Sequence, residues 1–360
     1  MTSSPRGSPL SPRRLALGAL LFVLFTGGGY ALLAWLGGSD QATVPEMLAG
    51  ARAGPLVAAT LLALLEVALG GTRLWILAHH ARRDFRWRDG LHTHLYNAFA
   101  SGVTPAQAGA GPAQYWILRR KHLRPAEAMA VLTLNWIGVL AGFVIFGGAG
   151  LTYLARQGEI ELSGLLEALL VSALVTAGAA VTIVFFPHRL ERVLLARPRV
   201  RRTHRGRRLL LAVGRYRRSV RDYGRRGKRA WAANAAVSWT MLLTKSLEGV
   251  AVLAALGIPA GTLSALARQA LQFAVIYVSP SPGGSGVAEL SALGFMAGVV
   301  PAGLMLSYAA LWRMFTGYLA IALGAIFVGL DLVLGLTHRV AERAAHGHGG
   351  RLRHGRAPLD

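Results

Sequence analysis

Residues 91–117 read LHTHLYNAFASGVTPAQAGAGPAQYWI, and the reading of this weakly apolar stretch decides the fold. Before it stand Arg82, Arg83, Arg86 and Arg88; after it stand Arg119, Arg120, Lys121 and Arg124. Arginine and lysine collect at the cytoplasmic ends of membrane segments, which assigns both flanks to the cytoplasm. Its middle holds Gly102, Pro105, Gly109, Gly111 and Pro112, residues that interrupt helices. A segment that returns to the face it left, broken halfway, is a re-entrant hairpin rather than a straight span.

The surrounding composition supports a membrane setting. Of 360 residues 53% are hydrophobic and 15% charged, so the charges are confined outside long apolar runs. Such runs span a bilayer at about 20 residues each. Cysteine is absent, which removes disulfides, thiolate nucleophiles and cysteine-based metal sites. The net charge of +23 is accounted for by positive-inside loops and the membrane surface rather than by nucleic acid.

Seven apolar regions stand out: 15–37, 55–78, 91–117, 127–155, 162–186, 230–256 and a composite block 262–333. The first continues too far, without a small-residue cleavage site, to be a cleaved signal. Arg6, Arg13 and Arg14 precede it, whereas the loop 38–53 holds only Arg52 beside Asp40 and Glu46; the N-terminus is therefore placed in the cytoplasm. The segment 187–229 carries 17 Arg/Lys against two acids and is a cytoplasmic loop. Within it Leu209, Val213, Tyr216, Val220 and Tyr223 form one helical stripe, the pattern of an interfacial amphipathic helix.

The block 262–333 resolves into arms 262–278 and 284–300 around SPSPGGSG (279–286), then a span over 303–333. This second broken hairpin starts and ends outside; two short complete spans are the alternative. The expected fold is an all-α polytopic membrane protein with about six full transmembrane helices and two oppositely oriented re-entrant hairpins, in an inverted-repeat-like plan. Residues 1–14 are a basic tail, 15–337 the transmembrane domain and 338–360 a disordered basic tail, with both termini cytoplasmic. Paired Gly/Pro-interrupted segments in corresponding positions of two halves point to a substrate site between them, because irregular backbone at membrane depth persists only against protein or water.

Asn97 followed by VTPAQAGAGPAQYWILRR, with PSPGGSGVAE further on, resembles the transmembrane region of the lysylphosphatidylglycerol synthase family of flippase-like proteins, from about residue 10 to 335. The resemblance implies a multi-pass protein of the bacterial inner membrane that moves an anionic, aminoacylated or isoprenoid-linked lipid between leaflets. The synthases' soluble aminoacyl-transferase domain is not in this chain, so lipid aminoacylation is not expected. Many members carry an acid after the glycine pair of the first motif, where this chain has Pro112 after Gly111; the headgroup preference does not carry over.

Ionisable groups inside a bilayer cost about 2.5–3.5 kcal/mol each on insertion scales and are functional candidates. Arg313, near the middle of the last span, reads either as a phosphate-binding cation or as half of a structural ion pair. Glu289 lies in the first turn after PGGSG, where the helix dipole favours an acid; the alternatives are pairing with Arg313 or proton exchange. Pro280, Pro282, Gly283, Gly284, Ser285 and Gly286 build either a tight turn or a phosphate-binding helix mouth. Lys245 and Glu248, one turn apart, are expected to neutralise each other in part. Glu66 and Arg73 share a helix face, and Arg73 has a snorkelling alternative. Arg268 would meet a headgroup from outside or contact lipid phosphates. Asn97, Thr104, Pro105 and Gln114 surround the inner hairpin, Asn97 being read as a brace. Gly138 with Gly142, and Gly294 with Gly298, have spacing suited to close helix packing.

The stretch Gly283–Gly286 also resembles the G-x-S-G of intramembrane serine proteases, but a histidine base is missing from 303–333. His79, His80, His92 and His94 are read as a surface cluster in a basic loop rather than a metal site, and no cofactor is expected. A non-transporting assembly protein and a carrier of small soluble solutes are the rival classes. A homo-oligomer is left open, as is energy coupling, since no nucleotide motif is present.

Overall fold

The computed structural model describes residues 50–159, 203–259, 261–277, 279 and 281–331, with scattered helical positions from 20 to 35 and residue 333. The expected span 162–186, most of the first span, both tails and Pro280 lie outside the described residues. Those described are helical without strands. In order they form α1 (Ala53–Ala81), α2 (Trp87–Gly102), a 3-10 turn Pro105–Gln107, α3 (Ala110–Arg120) and α4 (Pro125–Arg156). Beyond residue 203 come α5 (His204–Arg226), α6 (Lys228–Ala255), α7 (Thr262–Tyr277), a 3-10 turn Pro282–Gly284, α8 (Val287–Met296) and α9 (Met305–Arg313). A π turn Met314–Tyr318 follows α9 within a span Ala302–Asp331.

Among the described residues four helices are long and apolar enough to cross a bilayer: Ala53–Ala81, Pro125–Arg156, Lys228–Ala255 and Ala302–Asp331. At 1.5 Å per residue they run ~42–48 Å. The hairpin arms are shorter, ~24 Å for α2 and α7 and ~15–16 Å for α3 and α8, and the second arm of each falls well short of a hydrocarbon core of ~30 Å. Each half therefore repeats one plan: long helix, broken hairpin, long helix.

The two breaks repeat in detail. Thr104-Pro105 and Ser281-Pro282 each enter in extended conformation and are followed by two residues in the left-handed region, Ala106 and Gln107 (φ 50° and 54°) and Gly283 and Gly284 (φ 58° and 75°). Gln107 N bonds Thr104 O and Ala108 N bonds Pro105 O; Gly284 N bonds Ser281 O and Ser285 N bonds Pro282 O. Glycine takes that conformation freely, alanine and glutamine at a cost. Thr104 braces the first break: its hydroxyl donates to Ala100 O (2.6 Å) and accepts from Gly109 N (2.9 Å). Pro112 sits in the first turn of α3, where a proline costs no helical hydrogen bond.

The hairpins open at opposite ends of the molecule. Lys121 reaches Asp89 (2.6 Å) and Arg82 bonds His122 O (3.0 Å), so both ends of the first hairpin lie beside the start of α4. Arg268 on α7 bonds Phe295 O at the end of α8 (2.8 Å) and Glu159 (3.1 Å) just past α4. Both ends of the second hairpin therefore lie at the far end of that 32-residue helix. The two turns meet in between.

The halves interlock. α1 packs lengthwise on α6, with Arg52 N bonding Ala255 O at 2.9 Å, so the two are antiparallel. A Cβ on Gly150 of α4 would meet Ala267 O of α7 at 2.8 Å, and one on Gly324 of the last span would meet Leu95 O of α2 at 2.5 Å. Each half's final helix thus closes on the other half's hairpin.

Gly138 and Gly142 make the expected close contacts, against Asn234 and Ala235 and against Leu242 and Trp239 of α6. Gly294 and Gly298 do not: a Cβ added at either would meet nothing within 4 Å among the described residues. α5 forms as the amphipathic pattern requires. Tyr216, Val220 and Tyr223 of its stripe pack with α4 while Leu209 is exposed, and the Tyr223 hydroxyl ties α5 to Leu77 O (2.6 Å).

Candidate functional site

A cavity of about 1170 Å³ lies between the two hairpins. Glu66 and Arg73 of α1, His94 and Asn97 of α2, and Gln114 of α3 line it together with Lys245 of α6 and Arg313 of α9. Ala106, Gln107, Gly111 and Pro112 of the first hairpin and Gly283 of the second complete the wall around its polar end. Six of the residues singled out in the sequence as substrate contacts are thus brought together. Three others are not: Arg268, Glu248 and Glu289 lie outside the lining.

Arg313 is 4% exposed and Glu289 0%. Arg313 Nε donates to Glu289 Oε1 (3.2 Å) and Nη2 to Gly283 O (3.1 Å), while Glu289 Oε2 accepts from Gly286 N (2.7 Å). The Tyr318 hydroxyl adds a bond to Glu289 at 3.2 Å. Glu289 is therefore both helix cap and counter-ion, two sequence readings realised at once. The pair fastens α9 to the second break, and Gly29 of the N-terminal region packs against Gly286, its Cβ position 3.0 Å away. The π turn begins immediately after Arg313; such bulges recur at functional sites, and no sequence pattern announced this one.

Lys245 pairs not with Glu248 but with Glu66 across the α1–α6 contact, at 3.3 Å. Sequence spacing identifies residues that share a face; it does not say which neighbouring helix supplies a better partner. Glu248 is left fully buried, both carboxylate oxygens lacking a hydrogen-bond partner among the described residues.

Arg73 does not snorkel. It is 6% exposed, and its Nε and Nη1 have no hydrogen-bond partner among the described residues. Asn234 holds the backbone in place by bonding Arg73 O (2.9 Å) and Asn135 Oδ1 (3.2 Å). Asn97 lines the cavity, and its side chain makes no hydrogen bond among the described residues that would brace the hairpin. His94 leaves the expected surface cluster altogether. It is 4% exposed, its ring fits against Gly70, and neither ring nitrogen has a hydrogen-bond partner among the described residues. No group of three or more potential metal ligands occurs among the described residues. Arg268 lies outside the cavity lining and bonds Glu159, Ser264 and Phe295 O. Ser285 is buried, and its Oγ has no hydrogen-bond partner among the described residues.

Four charged side chains line the cavity, three of them cations, and Glu289 behind Arg313 brings the opposing carboxylates to two. The excess positive charge resides on Arg73. Sequence reading missed His94, Gln107, Asn135, Tyr277 and Thr316 of the wall. Of these only His94 carried a usable signal, lying seven residues before Ser101 and eight before the first break glycine, inside the hairpin arm rather than in the basic loop.

The profile of the lysylphosphatidylglycerol synthase TM region matches residues 15–324. The chain belongs to this family. No curated protein matches it. The matched region contains every cavity residue named above.

Proposed function

We propose that this family member moves a lipid with an anionic headgroup between membrane leaflets, the headgroup passing through the central cavity while the acyl chains stay in the bilayer. The observation that carries the reading is Arg73. A buried guanidinium with unused donors is expensive, and a phosphate or carboxylate entering the cavity supplies the missing acceptors in paired geometry. Lys245 and Arg313, each already neutralised, shape the field around it. In this reading the breaks are re-entrant: their short second arms do not span a bilayer, and the left-handed turns bring backbone groups to the cavity, the setting in which irregular backbone is tolerated at membrane depth. In this reading Arg73 takes the phosphate-holding place that the sequence alone gave to Arg313 and Arg268.

The test is reconstitution into liposomes containing headgroup-labelled phosphatidylglycerol or phosphatidylcholine, read by a membrane-impermeant quencher. Wild-type protein is expected to expose inner-leaflet phosphatidylglycerol, and folded Arg73→Met to lose that activity. Failure to move any lipid, or full activity of Arg73→Met, removes the proposal.

A further inference from the structure

A second cavity, of about 950 Å³, lies between α5 and the first turns of α4, within the ~300–1,000 Å³ typical of ligand pockets. Its floor is apolar: Pro125 and Met129 of α4, Val213 and Tyr216 of α5, and Tyr115 of α3. Its rim is cationic, with Arg124, Arg215 and Arg218. Glu127, the acid at this rim, accepts the Arg124 backbone N–H (2.8 Å) and caps α4. The Arg124 side chain is 85% exposed and 3.9 Å from that carboxylate, leaving most of its donors free. α5 as a whole holds nine arginines and one aspartate.

This cavity adjoins the central one. Tyr115, Met129 and Thr133 line both, so a single seam of three side chains divides them. Tyr216 of α5 and Thr133 of α4 both line the second cavity. An apolar floor beneath a cationic rim fits an amphiphilic anion. A small soluble anion would leave the floor in contact with water, and a neutral lipid would leave the arginines unused. The half-buried stripe of α5 and its arginines also suit a helix lying on an anionic leaflet.

We propose that this groove is a capture site for an anionic phospholipid of the leaflet on the Arg124 side of the protein. The headgroup is held by Arg124, Arg215 and Arg218, and the seam of Tyr115, Met129 and Thr133 is its passage to the central cavity. The passage rests on the translocation reading above; the capture site stands on its own geometry. Because the chain has no cysteine, a single Val213→Cys carries an environment-sensitive fluorophore cleanly, with Leu61→Cys, 62% exposed on α1, as control. The labelled proteins are reconstituted into vesicles containing equal fractions of brominated phosphatidylglycerol or brominated phosphatidylcholine.

The expected result is quenching at Val213→Cys roughly fivefold more sensitive to the anionic lipid than to the neutral one, lost in Arg215→Gln/Arg218→Gln, with no preference at Leu61→Cys. Thr133→Phe, which fills the seam, is expected to keep the preference and lose translocation. Equal quenching by both lipids at Val213→Cys overturns the capture site even if translocation is observed. Selective quenching in a protein that moves no lipid upholds capture and overturns the translocation reading. Full translocation by a Thr133→Phe protein that still captures lipid overturns the passage.

Discussion

At the residue scale the decisive distinction among the described cations of the cavity is between Arg313 and Lys245, which have carboxylate partners, and Arg73, whose Nε and Nη1 have none. Arg313 and Glu289 are a buried, multiply bonded pair, and removing one partner of such a pair costs about 3–5 kcal/mol. Arg313→Met should therefore lower thermal stability sharply. Arg313→Met/Glu289→Gln should recover most of the loss, because glutamine still caps Gly286 and no charge is stranded. Arg73 should behave in the opposite way: Arg73→Met removes an unpartnered buried cation, so melting in detergent should be unchanged or raised while transport is lost. A matching drop in stability for Arg73→Met would mean that the guanidinium serves the fold. Both arginines were visible in the sequence as intramembrane charges. Their difference was not, because it depends on which helix delivers a carboxylate. Glu289 arrives from the second break, whereas Glu66, on Arg73's own helix, is taken by Lys245.

At the scale of elements, the broken hairpins were legible because glycine and proline cluster where the backbone turns, and their opposite senses were legible from the flanking arginines. The positive-φ pair Ala106–Gln107 was not, since neither residue favours that region; it is held by what surrounds it. Thr104 is the main restraint, and Thr104→Val leaves Gly109 N without its acceptor, costing about 1–3 kcal/mol. Thr104→Ser should restore stability, as read by thermal unfolding. At the opposite end of α4, hydrogen bonds from Ser264 and then Arg268 hold the Glu159 carboxyl below its ordinary range, against a smaller opposing effect of burial. A carboxyl lowered in the folded state contributes stability that is fully present above the ordinary glutamate value of about 4.3. That contribution fades as pH falls through the lowered folded-state value. The melting temperature of wild type should exceed that of Glu159→Gln near neutral pH, and the two curves should converge in acid. A constant gap down to low pH would assign the difference to packing rather than charge.

At the scale of the whole molecule, two similar halves interlock so that each closing helix rests on the other half's hairpin, and the two turns meet beside the cavity. Closely packed interfaces are in general bistable rather than continuously deformable, and on the proposed function a headgroup crossing from one end to the other passes the point where the turns touch. Two mechanisms make opposite demands there. If the halves rock against one another, the turns separate in each cycle; if the headgroup slides along a fixed groove, they stay together. Cysteines replacing Ala106 and Ser281 place thiols on the two turns, and a short reducible bifunctional reagent then ties them. Rocking predicts that tying the turns halts lipid movement and that reduction restores it, with binding at the α5 groove unaffected. Undiminished movement in the tied protein would instead select the fixed groove, and the cationic cavity would then act by lowering the cost of headgroup passage rather than by alternating its access.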